Sequence, residues 1–166
     1  MADVFTKAKR SEVMARIRSR GNRDTELALA RLFRAHGIRG WRRQMRVRVR
    51  VTSDKWRVTR KARSLAASRG TRHPPLTVRP DFVFPKLRLA VFVDGCFWHG
   101  CPRHATQPKN NRAFWQQKLA GNRRRDALVT RTLRRAGWRV LRVWEHELAR
   151  KNEARLLRRI ERGLDC

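Results

Sequence analysis

The eleven residues from Asp94 to His104, read as Asp94-Gly95-Cys96-Phe97-Trp98-His99-Gly100-Cys101-Pro102-Arg103-His104, hold two cysteines, two histidines, a carboxylate and two large aromatics. That density points to metal binding or proton exchange rather than to packing. Cys96, Cys101 and His104 follow a C-x4-C-x2-H spacing, which supplies three of the four ligands a closed zinc site needs. His99 is a natural general acid or base, because an imidazole titrates near about 6.5, with zinc ligation its competing role. Upstream, Arg79-Pro80-Asp81 opens the strand-like Phe82-Val83-Phe84, and the apolar run Leu89–Val93 delivers Asp94. Two acids, Asp81 and Asp94, are therefore expected side by side on neighbouring strands.

The whole-chain charge says what such a site would act on. Lys and Arg total 43 against 13 acids, a net charge of +30 over 166 residues. Such an excess calls for a polyanionic partner, and phosphate backbone is the commonest one. With 40% apolar residues, the chain is expected to form one domain over 1–166 around one core. The absence of an apolar N-terminal leader and of any run approaching 18 apolar residues argues against secretion and membrane spanning. A cytoplasmic monomer with reduced thiols is expected. Cys96 and Cys101 then read as metal ligands or buried thiols, not a disulfide, and Cys166 as a free end.

The elements that must position these residues follow from periodicity. Ser11 can cap a short helix carrying Val13, Met14 and Ile17, and Asp24 or Thr25 a second with Leu27, Leu29, Leu32 and Phe33, closed by Gly37. Val47, Val49 and Val51 alternate with Arg46, Arg48 and Arg50 as a half-buried strand with a basic face. Residues 52–78 read as a basic loop or insertion, although Trp56 and Val58 could continue a hairpin. Asp81–Phe84 and Leu87–Val93 read as strands joined by a tight turn at Pro85-Lys86. Asn111–Leu119 and Asn122–Ala136 read as two helices, Trp138–Trp144 as a strand in which Trp138 and Trp144 pack in the core, and Glu153–Arg162 as a last helix. The expected class is α/β, a small mixed sheet flanked by helices.

Several of these residues also form an ordered pattern: Lys9-Arg10-Ser11 with Met14 and Ile17, Thr25-Glu26, Arg79-Pro80-Asp81-Phe82, Val91-Phe92-Val93-Asp94-Gly95-Cys96-Phe97-Trp98-His99, Phe114-Trp115 with Lys118, Asn122 with Arg125-Asp126, and Gly137-Trp138-Arg139-Val140 before Trp144-Glu145. The pattern, which covers most of the chain, resembles the very short patch repair (Vsr) endonucleases, a branch of the PD-(D/E)XK, restriction-endonuclease-like fold. The resemblance implies a strand-specific nick in double-stranded DNA beside a thymine mispaired with guanine. Mismatch-repair proteins are possible partners.

Carried over residue by residue, the resemblance makes Asp81 and the main-chain carbonyl of Val93 ligands of a catalytic Mg²⁺, and His99 the catalytic histidine. Glu26 matches an acid placed near the site; a solvated surface glutamate is its alternative. Asp94 departs from better-known members, which carry histidine there, and is expected to orient His99, to bind a second metal, or both. The fourth ligand of a structural Zn²⁺ is expected from His146, where many members have cysteine. Phe97, Trp98 and Trp115 match aromatics that enter the duplex beside the mismatch, where opening costs least. Arg123, Arg124 and Arg125, at the start of a helix, and the Arg46–Arg50 strand face are expected phosphate contacts. Two other classes stay open: a zinc-containing DNA-binding protein without catalysis, and a basic nucleoid or ribosome-associated protein.

Overall fold

Apolar side chains at helical spacing build helix α1 (Glu26–Ala35) in the structure, a computed structural model that describes residues 22, 24–49, 76–106, 108 and 110–165. Leu29, Ala30, Leu32 and Phe33 are its buried stripe. Thr25 takes the N-cap position, but no side chain caps the helix. At the other end Gly37 adopts φ +65° and the Ile38 N–H reaches back to the Phe33 carbonyl at 2.8 Å, a left-handed stop that glycine reaches without a Cβ penalty. The expected helix around Ser11, the residues Arg50, Val51, Trp56 and Val58, and Cys166 lie outside the described residues.

Four strands form the main sheet: β1 (Arg42–Arg43), β4 (Phe82–Phe84), β5 (Leu89–Asp94) and β6 (Arg139–Trp144), in the order β1-β4-β5-β6. The β1/β4 and β4/β5 pairs are antiparallel, whereas β5 and β6 run parallel. A parallel neighbour needs a long crossover, supplied by α2 (Arg112–Arg135). A separate antiparallel pair joins β2 (Val47–Val49) to β3 (Leu76–Val78). The last three residues of the segment expected as a loop over 52–78 are thus strand, because Val78 and Leu76 find apolar partners in Val47 and Val49.

Strand periodicity divides the core between two faces. Phe82, Phe84, Leu89, Val91 and Val143 pack with α1 and with Leu156 and Ile160 of α3 (Glu153–Leu164). Val83 and Ala90 pack with Leu133 of α2 and with the β2/β3 pair. The mixed α/β sheet flanked by helices is as expected. By the same alternation Asp81 falls in step with Val83, Asp94 with Ala90, and Arg142 with Val140. Both acids therefore lie on the α2 side of the sheet.

Two boundaries differ from the sequence reading. The helices expected over Asn111–Leu119 and Asn122–Ala136 are one helix of 24 residues. A Cβ at Gly121 would meet nothing within 4 Å. That glycine costs roughly 1 kcal/mol against alanine, which the burial of Leu119 and Leu133 on either side offsets. Arg123, Arg124 and Arg125 consequently stand in mid-helix, not at a helix start. The hairpin turn spans Pro85 to Arg88, with Arg88 at φ +48° and its N–H on the Pro85 carbonyl at 3.2 Å. Leu87, expected to begin a strand, is exposed in that turn. Trp138 packs against the α2-side core, whereas Trp144 is half-buried outside both core clusters. No helix among the described residues is long and apolar enough to cross a membrane.

Candidate active site and metal centre

Asp81 precedes β4, and its Oδ2 accepts the Val93 N–H from β5 at 2.8 Å. Gln44 meets it from the sheet edge. With its backbone left-handed at φ +53°, Gln44 donates its N–H to the Asp81 carbonyl at 3.1 Å and brings its side-chain amide to 3.4 Å from Oδ1. Burial pushes the Asp81 carboxyl up to about 6; the Val93 N–H opposes the shift, and the charges of Glu26 and Asp94 add to it. Glu26, 3% exposed in the first turn of α1, accepts two hydrogen bonds from Arg43 at 2.6 and 2.8 Å. Three acids thus crowd one end of the sheet, an arrangement of hard oxygens that a divalent cation would relieve.

His99 lies in the turn after β5. Its Nδ1 meets Asp126 Oδ2 at 2.5 Å, whereas Asp94 Oδ1 is 3.6 Å away, beyond hydrogen-bond reach. The carboxylate paired with the ring is therefore Asp126 of α2. Burial alone would push the Asp126 carboxyl up, but the His99 hydrogen bond and the Arg142 charge hold it below its ordinary value.

Asp94, 3% exposed, is gripped by Arg142 from β6: Nε meets Oδ2 and Nη2 meets Oδ1, both at 2.6 Å. The same guanidinium lies 3.3 Å from Asp126 Oδ1 and from Thr130 Oγ1, and 5.1 Å from the centre of the Phe92 ring. Asp94 thus acts on this site through Arg142, which bridges the two aspartates beside His99.

Cys96, Cys101, His104 and His146 offer one ligand atom each, all within 4.8 Å of one another. Cys96 Sγ is 3.3 Å from His146 Nδ1, and Cys101 Sγ is 3.6 Å from that nitrogen and 3.8 Å from His104 Nδ1. Tetrahedral zinc with bonds of about 2.0–2.3 Å sets its ligands roughly 3.3–3.8 Å apart. The four residues could hold a metal ion, and His99 is outside the set. Backbone contacts shape the loop. The Cys101 N–H reaches the Cys96 carbonyl at 2.9 Å, Gly100 sits at φ +65°, and the Cys96 N–H meets Glu145 Oε2 at 3.1 Å. His146 arrives from a 3₁₀ turn after β6 (Glu145–Leu148), its carbonyl held by Asn152 at 2.7 Å.

Phe97, Trp98 and Trp115 cluster with ring centres 5.1, 5.2 and 6.0 Å apart, all half-buried. Asn122 of α2 holds the Trp98 carbonyl at 2.9 Å. Phe114 extends the cluster outward, 5.4 Å from Trp115 and 58% exposed. Arg123, Arg124 and Arg125 are exposed on the same helix, and Arg48 on the outer face of β2.

Sequence reasoning did not place Asp126, Arg142, Gln44 or Arg43 in the site. Asp126 carried two signals, its place beside Arg125 in the family pattern and its being the sole acid in α2, and Arg142 carried one, a charge on the inward face of an apolar strand. Gln44 and Arg43 carried none.

The family model of the DNA mismatch endonuclease Vsr matches residues 2–50 and 43–105. The type II nicking enzyme V.NaeI of Lentzea aerocolonigenes is 50% identical over 91 residues, 53% of this chain and 55% of the relative, so the match spans about half of that relative's length. The type II nicking enzyme V.NmeAIP of Neisseria meningitidis serogroup A is 32% identical over 164 residues, 98% of this chain and 94% of the relative. The DNA mismatch endonuclease Vsr of Escherichia coli is 34% identical over 148 residues, 87% of this chain and 74% of the relative.

Proposed function

The chain belongs to the Vsr family of DNA mismatch endonucleases, and from that premise we propose that it nicks one strand of duplex DNA beside a thymine mispaired with guanine, by Mg²⁺-dependent hydrolysis. The observation that carries this reading is that the Asp81 carboxylate, held by the Val93 N–H, feels the charge of His99, whose ring is paired with Asp126.

Asp81, through the oxygen not taken by the Val93 N–H, and the Val93 carbonyl would hold Mg²⁺, whose chemistry is Lewis-acid stabilisation of the charge developing on the phosphate. Asp126 holds His99 Nδ1 and commits Nε2 to proton exchange. Nε2 takes a proton from the attacking water as its oxygen bonds to phosphorus; the bond from phosphorus to the leaving oxygen breaks as that oxygen takes a proton from a solvent water, and His99 returns its own proton to solvent. Arg142 and Asp94 keep Asp126 in register with the ring. Glu26, although paired with Arg43, leaves a residual negative charge that acts on Asp81 and favours a cation there. Cys96, Cys101, His104 and His146 would hold Zn²⁺ as a structural clamp between the loop after β5 and the end of β6. Phe97, Trp98 and Trp115 would wedge into the base stack, and Arg123, Arg124 and Arg125 would meet phosphates.

The test is a labelled duplex with one T:G mispair in varied flanking sequence, incubated with Mg²⁺ or with chelator. A nick in one strand, absent with chelator and with Asp81→Asn, is the expected result. Binding without any nick would reduce the protein to a DNA-binding module.

A further inference from the structure

A cavity of about 350 Å³ opens beside the metal loop, away from the aromatic cluster, and the mechanism makes no use of it. Cations from three elements converge on its wall: Arg103 between the ligands Cys101 and His104, Lys151 in the second 3₁₀ turn (Arg150–Asn152), and Arg155 in the first turns of α3. All three are exposed, and none is engaged in a hydrogen bond or ion pair among the described residues. The one acid lining the cavity, Glu147, is taken up by Arg159 at 2.7 and 2.9 Å and by the Trp144 N–H at 2.8 Å. The cavity is thus a concave surface of net positive charge whose one carboxylate is already paired.

Its position relates it to the cutting site. Trp144, on its wall, pairs in register with Asp94, so the cavity opens where the parallel strands β5 and β6 end, at the same edge as Asp94 and the His99 turn. A second cavity of about 320 Å³ lies across the loop, against α2, and is lined by Arg112, Arg123 and Trp115. The two share Pro102. Cations therefore flank the metal loop on both sides.

We propose that the cavity walled by Arg103, Lys151 and Arg155 is a phosphate subsite, occupied by the backbone of the duplex flanking the cut. The proposal rests on the DNA-directed reading above for its ligand, not on cleavage. Phosphodiester matches the wall because it is an anion without a proton to donate, and three cations unpaired among the described residues offer donors only. The contact carries no base information, so it strengthens binding to matched and mismatched duplexes alike.

The experiment measures binding of labelled duplexes, T:G and fully paired, by anisotropy across a salt series. The protein is the full chain or a variant combining Arg103→Ala, Lys151→Ala and Arg155→Ala. Loss of affinity of tenfold or more on both duplexes at moderate salt, with the slope of log affinity against log salt reduced by about one to two, is expected. The variant combining Arg103→Lys with Arg155→Lys should keep most of the affinity. Unchanged affinity and slope would overturn the subsite, as would a loss confined to the mismatched duplex. Metal content and melting temperature equal to the parent's exclude a folding cause; if they drop, the three single substitutions are measured, and none shallower in slope overturns it. Nicking is scored separately: a chain that binds through this cavity but never cuts sinks the endonuclease reading and leaves the subsite standing.

Discussion

Arg142 grips Asp94 through two contacts of 2.6 Å and lies 3.3 Å from Asp126, so one guanidinium binds two carboxylates beside His99. Both acids lie toward the same ring nitrogen, Nδ1, and would otherwise repel each other there. The arrangement makes β6 a supporting wall of the His99–Asp126 pair, the pair proposed to exchange protons.

Arg142→Gln should therefore cost more than the loss of one contact. Breaking a buried pair from one side leaves an uncompensated charge, at roughly 3–5 kcal/mol, so the melting temperature should fall by many degrees. Adding Asp94→Asn removes the stranded charge and should recover part of the loss. A double variant no more stable than Arg142→Gln would contradict this account.

Asp126→Asn should spare DNA binding and slow cutting. The ring loses the partner that fixes its orientation, and removal of general-base assistance typically costs about 10²–10⁴-fold. Single-turnover nicking should drop within that range while duplex affinity stays within about twofold. Equal rates would dissociate the acid from the chemistry.

Asp81 should set a stability cost that appears as the pH rises. Its carboxyl titrates near 6 in the fold against 3.8 in its ordinary state, so the native protein holds the extra proton between these values. Stability then falls as pH climbs through that window, and the full cost, about 3 kcal/mol, is present above it. Asp81→Asn should melt higher than the parent at pH 8 when no divalent cation is present, and the advantage should vanish below pH 4. Melting curves at both pH values decide it. Nicking should decline below about pH 6, where protons compete with the cation.

Metal removal should unfold rather than merely inactivate. One zinc ion per chain is expected, lost in His146→Ala with a clear fall in melting temperature, whereas His146→Cys should retain it, since a thiolate suits the same tetrahedral set. Full metal content in His146→Ala would remove this residue from the ligand set.

Local spacing makes Cys96, Cys101 and His104 legible, because three ligands within nine residues need only a tight turn to meet. His146 is legible only through the family resemblance, since 45 residues separate it from Cys101 and no periodicity links them. Strand alternation reveals both faces of the sheet, and with them the side on which Asp81 lies. The pairing of His99 with Asp126 is hidden for a different reason. Asp126 stands among arginines 27 residues away, and its approach depends on how far α2 rotates as it crosses the sheet. Arg142 reaches Asp94 through the parallel register of β5 and β6, which is set by tertiary packing. The two-helix reading of 111–136 failed at Gly121 because packing on both sides outweighed the local cost of a glycine.

The uninterrupted run of α2 places Trp115 and Asp126 on one stiff rod, eleven residues or roughly 16 Å apart. Anything that pushes the indole end tilts the carboxylate end too. Under the proposed function, lesion sensing and bond breaking would share a lever, and a hinge cut into it at Gly121 would uncouple them.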